Sequence, residues 1–208
     1  MNTPPTKLYF VRHGESEANT LRVISNREGP HGLTGLGQEQ ALELAERLSA
    51  VPVSAVFSSP LLRARQTAAV LAERFGTPCR VTDALREYDC GVLEGKSDRA
   101  SWQPHGEVFA AWQFGSDRAC KPDGGESYGD ILNRFVPFVE ELSRSGTGSH
   151  VVLVGHSGLF QLMLPHVLIG IDATFVKARG LGHTDGVVAE RRADGFVCIH
   201  WGPLEGYV

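Results

Sequence analysis

The chain has 208 residues, a length that fits a single domain (residues 1–208) with enough chain to bury a sizeable hydrophobic core. Hydrophobic residues make up 42% and charged residues 21%, which is typical of a soluble globular protein, and the formal net charge of -4 does not favour binding to nucleic acid. No apolar run approaches the length of a membrane span, and residues 1–7 lack the pattern of a secretory signal, so we expect no membrane association and a cytoplasmic location.

The first predicted element is a strand over residues 8–11, a short aromatic and β-branched run that is closed by Gly14. Arg12 and His13 follow this strand directly. Because ligands bind just past the carboxyl ends of strands in open α/β sheets, both side chains can face a bound anion there. Asn19 lies close enough in sequence to fold back to the same pocket.

A helix is predicted from about Thr34, and a second buried strand over residues 53–57. We expect the next helix to begin with Ser59 as its N-cap and Pro60 as its first residue. Arg63 then lies in the first helical turn, where the backbone N–H groups and the helix dipole favour an anion. A guanidinium at that point makes a strong oxyanion clamp.

A short strand is predicted at 79–82, followed by a polar loop that carries two acids, Glu87 and Asp89. Residues 96–126 show no clean hydrophobic period and mix aromatic residues with Gly and Pro. We therefore expect them to form an inserted lid with irregular helices.

The strongest strand pattern in the chain covers residues 150–155, and it delivers His156 at its carboxyl end. An Ala193-Asp194-Gly195 turn between two apolar runs predicts a hairpin near the carboxyl terminus. The alternation of strands and helices predicts a three-layer α/β/α sandwich with a mostly parallel central sheet.

Two strand-terminal histidines, two arginines and a loop carboxylate suit phosphoryl transfer through an enzyme histidine. A neutral imidazole can attack phosphorus and hold the group covalently. The transferring group spreads negative charge over its oxygens, so cationic donors must surround it. The leaving oxygen needs a proton from Glu87 or Asp89. The chemistry requires no metal if the arginines carry the charge stabilisation, and we expect no cofactor. The four scattered cysteines, with no Cys-x-x-Cys pair, predict free thiols rather than a zinc site.

The motif Arg12-His13-Gly14-Glu15-Ser16-x-x-Asn19 resembles the signature of the histidine phosphatase (phosphoglycerate mutase-like) superfamily. The resemblance extends over nearly the whole chain. Further segments are similar to motifs of that family in the same order: Leu33-Thr34-x-x-Gly37-x-x-Gln40-Ala41, Ser58-Ser59-Pro60-Leu61-x-Arg63-Ala64-x-Gln66-Thr67-Ala68, Leu85-x-Glu87 with Gly91 and Glu94-Gly95, Gly124-Gly125-Glu126-Ser127, and Val154-x-His156.

The resemblance implies a role for each matched position. His13 would be the phosphorylated nucleophile, and Glu87, rather than Asp89, would protonate the leaving group and then activate water. The phosphoryl oxygens would be bound by Arg12, Arg63 and His156, with Asn19 as an additional donor.

The resemblance leaves a choice between a phosphatase and a mutase. Mutases of the family hold a phosphoglycerate with an Arg and a Tyr after the acid and a Lys downstream, whereas this chain has Tyr88, Cys90 and Asp98 at those places. The chain is also shorter than a typical mutase. We therefore predict a phosphomonoesterase, a monomer or homodimer, whose partner is a small phosphorylated metabolite.

The residues that select the metabolite are harder to predict. We expect a substrate pocket that includes Ser25, Trp102, Arg118 and His183, with Trp112 or Lys121 as further candidates from the lid. The opposing interpretations are that the tryptophans pack a small core of the lid and that His183 is an ordinary surface histidine.

Two other functions compete with this prediction. Gly155-His156-Ser157 resembles part of the serine esterase elbow, and Ser157, Asp172 and His183 have the chain order of its triad, although Leu159 stands where that motif has glycine. The second alternative is a non-enzymatic phosphate-binding protein with a dead site. Such proteins usually lose the nucleophile or the acid, and this sequence retains both.

Overall fold

The structure is a computed structural model that describes residues 6–204. The expectation that residues 1–7 contain no secretory signal therefore concerns mostly residues outside the described range. The strands are β1 Lys7–Arg12, β2 Val53–Ser58, β3 Cys79–Val81, β4 His150–Gly155, β5 Leu168–Ile169, β6 Gly186–Arg192 and β7 Gly195–Gly202. The helices are α1 Glu17–Leu21, α2 Gly35–Arg47, α3 Leu62–Phe75, α4 Arg99–Phe114, α5 Tyr128–Arg144, α6 Ser157–Met163 and α7 Ala173–Lys177.

The strands form one seven-stranded sheet in the order β3-β2-β4-β1-β6-β7-β5. Strands β1 to β4 are parallel to one another, β6 runs antiparallel to β1 and β7, and β5 is parallel to β7. Strands β6 and β7 form the predicted hairpin. The mostly parallel sheet confirms the predicted fold class.

Both faces of the sheet are apolar and covered by helices. In β1, Leu8 and Phe10 face a core shared with α4, α5 and α6, while Tyr9 and Val11 face a second core shared with α2 and α3. Because successive side chains of a strand point to opposite faces, a continuous apolar run is what a strand between two helical layers requires.

The central pairing of β1 with β4 positions the functional residues. The two strands are parallel and in register, with Arg12 opposite Gly155. The backbone N–H of His13 donates to the Gly155 carbonyl at 3.1 Å, which extends the pairing by one step. His13 and His156 therefore leave the sheet side by side at its carboxyl edge.

The start of α3 differs from the prediction. Its first residue is Leu62 and its N-cap is Leu61, so the prediction of Ser59 as N-cap and Pro60 as first helical residue was wrong. Ser59 instead continues the sheet, since its N–H donates to the Val154 carbonyl at 2.9 Å. Arg63 still lies in the first turn of the helix, as expected.

The predicted lid contains one regular helix rather than irregular helices. Helix α4 has 16 residues and begins at Arg99, and the preceding Asp98 caps it by accepting the Ser101 N–H with its carboxylate. Pro104 lies near the amino-terminal end of the helix, where a missing N–H removes a single hydrogen bond. The sequence pattern concealed this helix because only Ser101 and Trp112 are buried along it.

No helix in the stretch from residue 6 to residue 204 is both long and apolar enough to span a bilayer.

The loop after β1 packs tightly on the first turn of α2. A Cβ added to Gly37 would lie 1.9 Å from the Glu15 carbonyl oxygen, whereas a Cβ added to Gly35 would meet nothing within 4 Å. Only a glycine at position 37 allows the loop that follows His13 to approach the helix.

We predict that Gly37→Ala destabilises the protein by about 1–3 kcal/mol, because the backbone must move to accept the methyl group. The matched variant Gly35→Ala should leave stability unchanged or raise it by up to about 1 kcal/mol, since alanine favours a helix. Urea unfolding of both variants measures the difference. Equal stabilities would show that this contact does not constrain the loop.

Candidate active site

The carboxyl ends of three neighbouring strands bring the candidate site together. His13 follows β1, His156 follows β4 and Ser59 follows β2. The rings of His13 and His156 lie 5.1 Å apart, edge to face, and only 3% and 1% of the two residues is exposed. Two imidazoles 143 positions apart in the chain thus form one buried pair.

The hydrogen bonds of His13 fix its tautomer. Its Nδ1 lies 2.7 Å from the Gly14 carbonyl oxygen, which can only accept, so Nδ1 carries the proton. The lone pair of Nε2 accepts a hydrogen bond from Arg63 Nε at 3.0 Å. His13 therefore presents an unprotonated nitrogen directly to a guanidinium.

Arg63 connects the two histidines. Its Nη1 donates to the Ser25 carbonyl at 2.8 Å, and its Nη2 lies 3.4 Å from His156 Nδ1. Because a guanidinium only donates, Nδ1 of His156 accepts, and Nε2 of that ring donates to Ser59 Oγ at 2.8 Å. Burial is the largest cause that lowers the pKa of Arg63, to about 10.

Arg12 approaches the same place from the end of β1. Its Nη1 donates to the Leu181 carbonyl at 2.7 Å, and its Nη2 lies 3.1 Å from His183 Nε2. Its Nε is buried and has no partner among residues 6–204. A buried guanidinium N–H without an acceptor is unusual, and an anion bound in the cavity would supply that acceptor.

Asn19 and His183 complete this side of the site. Asn19 Oδ1 accepts from the Ser16 N–H at 3.0 Å and lies 3.2 Å from His183 Nε2. Thr184 adopts a left-handed backbone conformation with φ 58°, and its N–H donates to the Arg12 carbonyl at 3.2 Å. Burial first, and then the charge of Arg12, lowers the pKa of His183 to about 4.

The acid predicted from sequence faces the cavity from the opposite loop. Glu87 is buried, and its carboxylate accepts the Gly158 N–H at 3.0 Å and the Tyr88 N–H at 3.2 Å. Burial outweighs these bonds and raises the pKa of Glu87. Asp89, the other candidate acid, instead pairs with Arg27 at 3.0 Å and lies outside the cavity wall.

Burial also controls the two histidines. It is the largest cause that lowers the pKa of His13 and of His156 well below the ordinary value of 6.5, and the charge of Arg63 is the next. Both rings are therefore neutral at neutral pH, in agreement with the acceptor roles that their hydrogen bonds assign.

These side chains surround one cavity of about 280 Å³. Its polar wall contains all six residues predicted for catalysis and phosphate binding: Arg12, His13, Asn19, Arg63, Glu87 and His156. The geometry thus provides one unprotonated imidazole nitrogen, a ring of donors and one buried carboxyl group around a space for a small anion.

The residues predicted to select the substrate are divided by the structure. Ser25 and Trp102 line the cavity, and Trp102 remains 37% exposed. His183 is not among the residues that line the cavity, although its ring lies 6.2 Å from the His13 ring and it contacts Arg12. Arg118 lies outside the cavity with its guanidinium 4.7 Å from the centre of the Tyr128 ring, so it was misplaced by the prediction. The reason is that the chain after α4 folds over α5.

Trp112 packs in the core rather than lining the substrate pocket, since it is fully buried between the rings of Tyr88 and Tyr128.

Two partners of the site were missed by the sequence reasoning. Ser59 holds His156, and the Gly158 N–H holds Glu87. The glycine after Gly155-His156-Ser157 was the available signal for the second of these contacts.

The structure does not assemble the serine esterase triad. Asp172 caps α7 by accepting the Phe175 N–H at 2.8 Å, and His183 contacts Arg12 and Asn19. Ser157 accepts from Gln161. Within the described part of the chain, no three or more His, Cys, Asp or Glu side chains are grouped so that they could hold a metal ion.

Comparisons with known proteins agree with this arrangement. The sequence model of the Histidine phosphatase superfamily (branch 1) matches residues 8–203. A glucosyl-3-phosphoglycerate phosphatase of Mycolicibacterium vanbaalenii is 32% identical over 94% of this chain and 91% of its own length. An adenosylcobalamin/alpha-ribazole phosphatase of Salmonella typhimurium is 31% identical over 78% of this chain and 79% of its own.

The solved structures include a mycobacterial glucosyl-3-phosphoglycerate phosphatase in complex with VO3. It is 28% identical and has a TM-score of 0.79 over 95% of this chain and 99% of its own. The family match covers nearly the whole chain. The relatives described above are named as phosphatases, and a further relative of similar coverage is named as a probable phosphoglycerate mutase. The chain belongs to the histidine phosphatase superfamily, branch 1.

Proposed function

We propose that the protein is a phosphomonoesterase that hydrolyses a small phosphorylated metabolite through a covalent phosphohistidine, without a metal ion. One observation carries the proposal. The unprotonated Nε2 of His13 lies beside the guanidinium groups of Arg12 and Arg63 and the ring of His156, and the buried carboxyl group of Glu87 faces the same cavity.

The first step transfers the phosphoryl group to the enzyme. His13 Nε2 attacks phosphorus, and the bond from phosphorus to the alcohol oxygen breaks. That oxygen leaves with a proton from Glu87, which burial favours in its protonated form. The products of the step are the free alcohol, the Glu87 carboxylate and phosphorylated His13.

Charge stabilisation comes from the surrounding donors. The Arg63 Nε–H that contacts His13 can turn to a phosphoryl oxygen, and the unpartnered Arg12 Nε–H can bind another. Once Arg63 has turned, His156 can adopt its other neutral tautomer, in which Nε2 accepts from the Ser59 hydroxyl and the Nδ1–H donates to a phosphoryl oxygen. Donors that are already in place around the phosphoryl group stabilise the charge that spreads over its oxygens during transfer.

The second step returns the enzyme to its starting state. Water attacks the phosphorus of phosphorylated His13, and the Glu87 carboxylate takes a proton from that water. The bond from phosphorus to Nε2 breaks, which releases inorganic phosphate and restores the neutral imidazole.

The environment of the acid loop favours water over a second phosphoglycerate as acceptor. Tyr88 contacts His105 at 2.9 Å, Cys90 is buried, and Asp98 caps α4. None of the three supplies the cation that a mutase would need at these places. The relatives named for glucosyl-3-phosphoglycerate and alpha-ribazole support a small organic phosphate monoester as substrate.

The proposal also includes the setting of the enzyme. The enzyme would be a single domain with residues 96–126 as its lid. A cytoplasmic location accords with four cysteines that are all free thiols in the structure. The active-site nucleophile and acid are both present, which favours an enzyme over a phosphate-binding protein with a dead site.

We predict that wild-type protein mixed with an aryl phosphate and quenched in alkali carries one phosphoryl group on His13. Mass spectrometry of the digested protein locates the group. His13→Ala should lose the adduct and at least about 10³-fold in turnover, because both steps pass through Nε2. Residual turnover of the variant at the wild-type rate would exclude the covalent route.

We predict that Glu87→Gln separates substrates by the basicity of their leaving groups. An alkyl phosphate needs protonation of its leaving oxygen, so its kcat should fall about 10²- to 10⁴-fold. The first step with p-nitrophenyl phosphate, whose leaving group is stable as an anion, should be much less affected. Stopped-flow measurement of the released alcohol isolates that step. Equal losses for both substrates would mean that Glu87 is not the proton donor.

We predict that the rings of His13 and His156 stay neutral well below the ordinary pKa of 6.5, because burial, and then the charge of Arg63, lowers both pKa values. Histidine NMR, assigned with the His13→Ala and His156→Gln variants, measures this directly. The unfolded chain binds these protons below pH 6.5 and the folded chain does not, so stability must fall as the pH drops below 6.5. A smaller fall in His156→Gln is expected, and titration of either ring near 6.5 would contradict the assignment.

A further inference from the structure

The cavity beside His13 and Arg63, which would hold the phosphate, is called the phosphate cavity below. A second cleft adjoins it, and we refer to this cleft as the outer cleft. Its volume is about 590 Å³. It shares Asn19, Val23 and Trp102 with the phosphate cavity and adds Arg22 and Arg99. Because the two spaces have walls in common, a molecule whose phosphate lies beside His13 can extend its remaining part into the outer cleft.

The outer cleft carries two exposed guanidinium groups. Neither Arg22 nor Arg99 has a hydrogen-bonded or ion-paired side-chain partner within residues 6–204. The neighbouring acid, Asp98, directs its carboxylate to the Ser101 N–H at 3.0 Å and the Ser101 hydroxyl at 2.8 Å. Two cations among the residues that line the outer cleft are thus available for a bound anion.

The backbone holds this wall in a defined position. The indole Nε1 of Trp102 donates to the Arg22 carbonyl at 2.7 Å, which ties the end of α1 to the start of α4. Ile24 exchanges hydrogen bonds with the opposite segment, donating to Lys96 at 2.9 Å and accepting from Gly95 at 2.8 Å. Arg22 itself has φ 53°, a left-handed conformation that is uncommon outside glycine.

The remaining surface of the outer cleft is largely apolar, with Asn19 and Ser97 as its other polar residues. Trp102 presents its exposed part there, beside Ala18 and Val23. An apolar wall suits the carbon framework of a ligand, and the guanidinium groups of Arg22 and Arg99 suit a carboxylate or a phosphate. A positively charged group on the ligand would be repelled by Arg22 and Arg99.

We propose that the outer cleft binds the alcohol part of the substrate and that this alcohol carries a second anionic group, a carboxylate or a further phosphate. The inference rests on the proposed phosphomonoesterase activity and narrows its substrate class. It assigns specificity to Arg22 and Arg99 rather than to Arg118.

The test compares three substrates that share a six-carbon chain with a phosphate at C6. They are 6-phosphogluconate, which has a carboxylate at C1, glucitol 1,6-bisphosphate, which has a second phosphate there, and glucitol 6-phosphate, which is neutral at that end. The variants are Arg22→Gln, Arg99→Gln and the control Arg118→Gln. Glutamine keeps a long side chain, so the left-handed position of Arg22 is no more strained than before.

Wild-type kcat/KM should be higher for at least one of the two substrates with a second anion than for glucitol 6-phosphate. Each variant of the outer cleft should reduce that preference about tenfold, with little effect on glucitol 6-phosphate or p-nitrophenyl phosphate. Arg118→Gln should leave the preference unchanged. The carboxylate and the bisphosphate substrates distinguish the two kinds of anion.

The inference would be overturned if the wild-type enzyme preferred glucitol 6-phosphate, or if the preference for a second anion survived both substitutions. Hydrolysis of p-nitrophenyl phosphate would still establish the phosphatase activity in either case. If no phosphate ester is hydrolysed, the proposed function fails separately. Calorimetric binding of the same three compounds to His13→Ala, with and without Arg22→Gln, then decides whether the outer cleft binds the second anion.

Discussion

The parallel pairing of β1 with β4 is the constraint on which the site depends. It sets Arg12 opposite Gly155 and makes the His13 N–H bond the Gly155 carbonyl, so the two imidazoles leave the sheet together. Everything else in the site is arranged around that pair. Helix α3 brings Arg63 to both rings, and the loop before Glu87 brings the acid to the open side of His13.

Burial then determines the electrostatics of this arrangement. Two guanidinium groups can lie beside two histidines only because the rings are neutral, and desolvation with the nearby arginine charges keeps them so. The same desolvation raises the pKa of Glu87, which reduces its tendency to neutralise the arginines as a fixed counterion. The cavity therefore retains positive charge and an unpartnered Arg12 Nε–H, to which a phosphate dianion would supply an acceptor.

The sequence predicted the parts of the structure that are encoded locally. The apolar runs that become β1 and β4 are continuous, and each is followed at once by a histidine, so the sheet edge and its two rings could be placed in advance. Contacts formed by distant segments were not accessible in that way. Ser59 was assigned to a helix cap because its local pattern fits one, whereas the structure uses its hydroxyl to hold His156.

The direction of a surface side chain was equally beyond the sequence. Arg118 and Arg99 belong to the same lid, and nothing in the pattern of charges indicates that Arg118 stacks on Tyr128 while Arg99 faces the outer cleft. The helix that decides this has few buried residues and an internal proline, so its period was hidden. Long-range packing of the lid, rather than its composition, determines which cation can meet a ligand.

The link between α1 and α4 joins phosphate binding to substrate selection. Asn19 lies in α1 and faces the phosphate cavity, and the carbonyl of Arg22 at the end of the same helix holds Trp102 of the lid. A ligand that moves the lid helix must therefore pull on the short segment that carries Asn19, the additional donor expected for the phosphoryl group. A leaving group seated against Trp102 and Arg22 would fix both ends of that segment, so contacts remote from phosphorus could improve the alignment of His13 with its target.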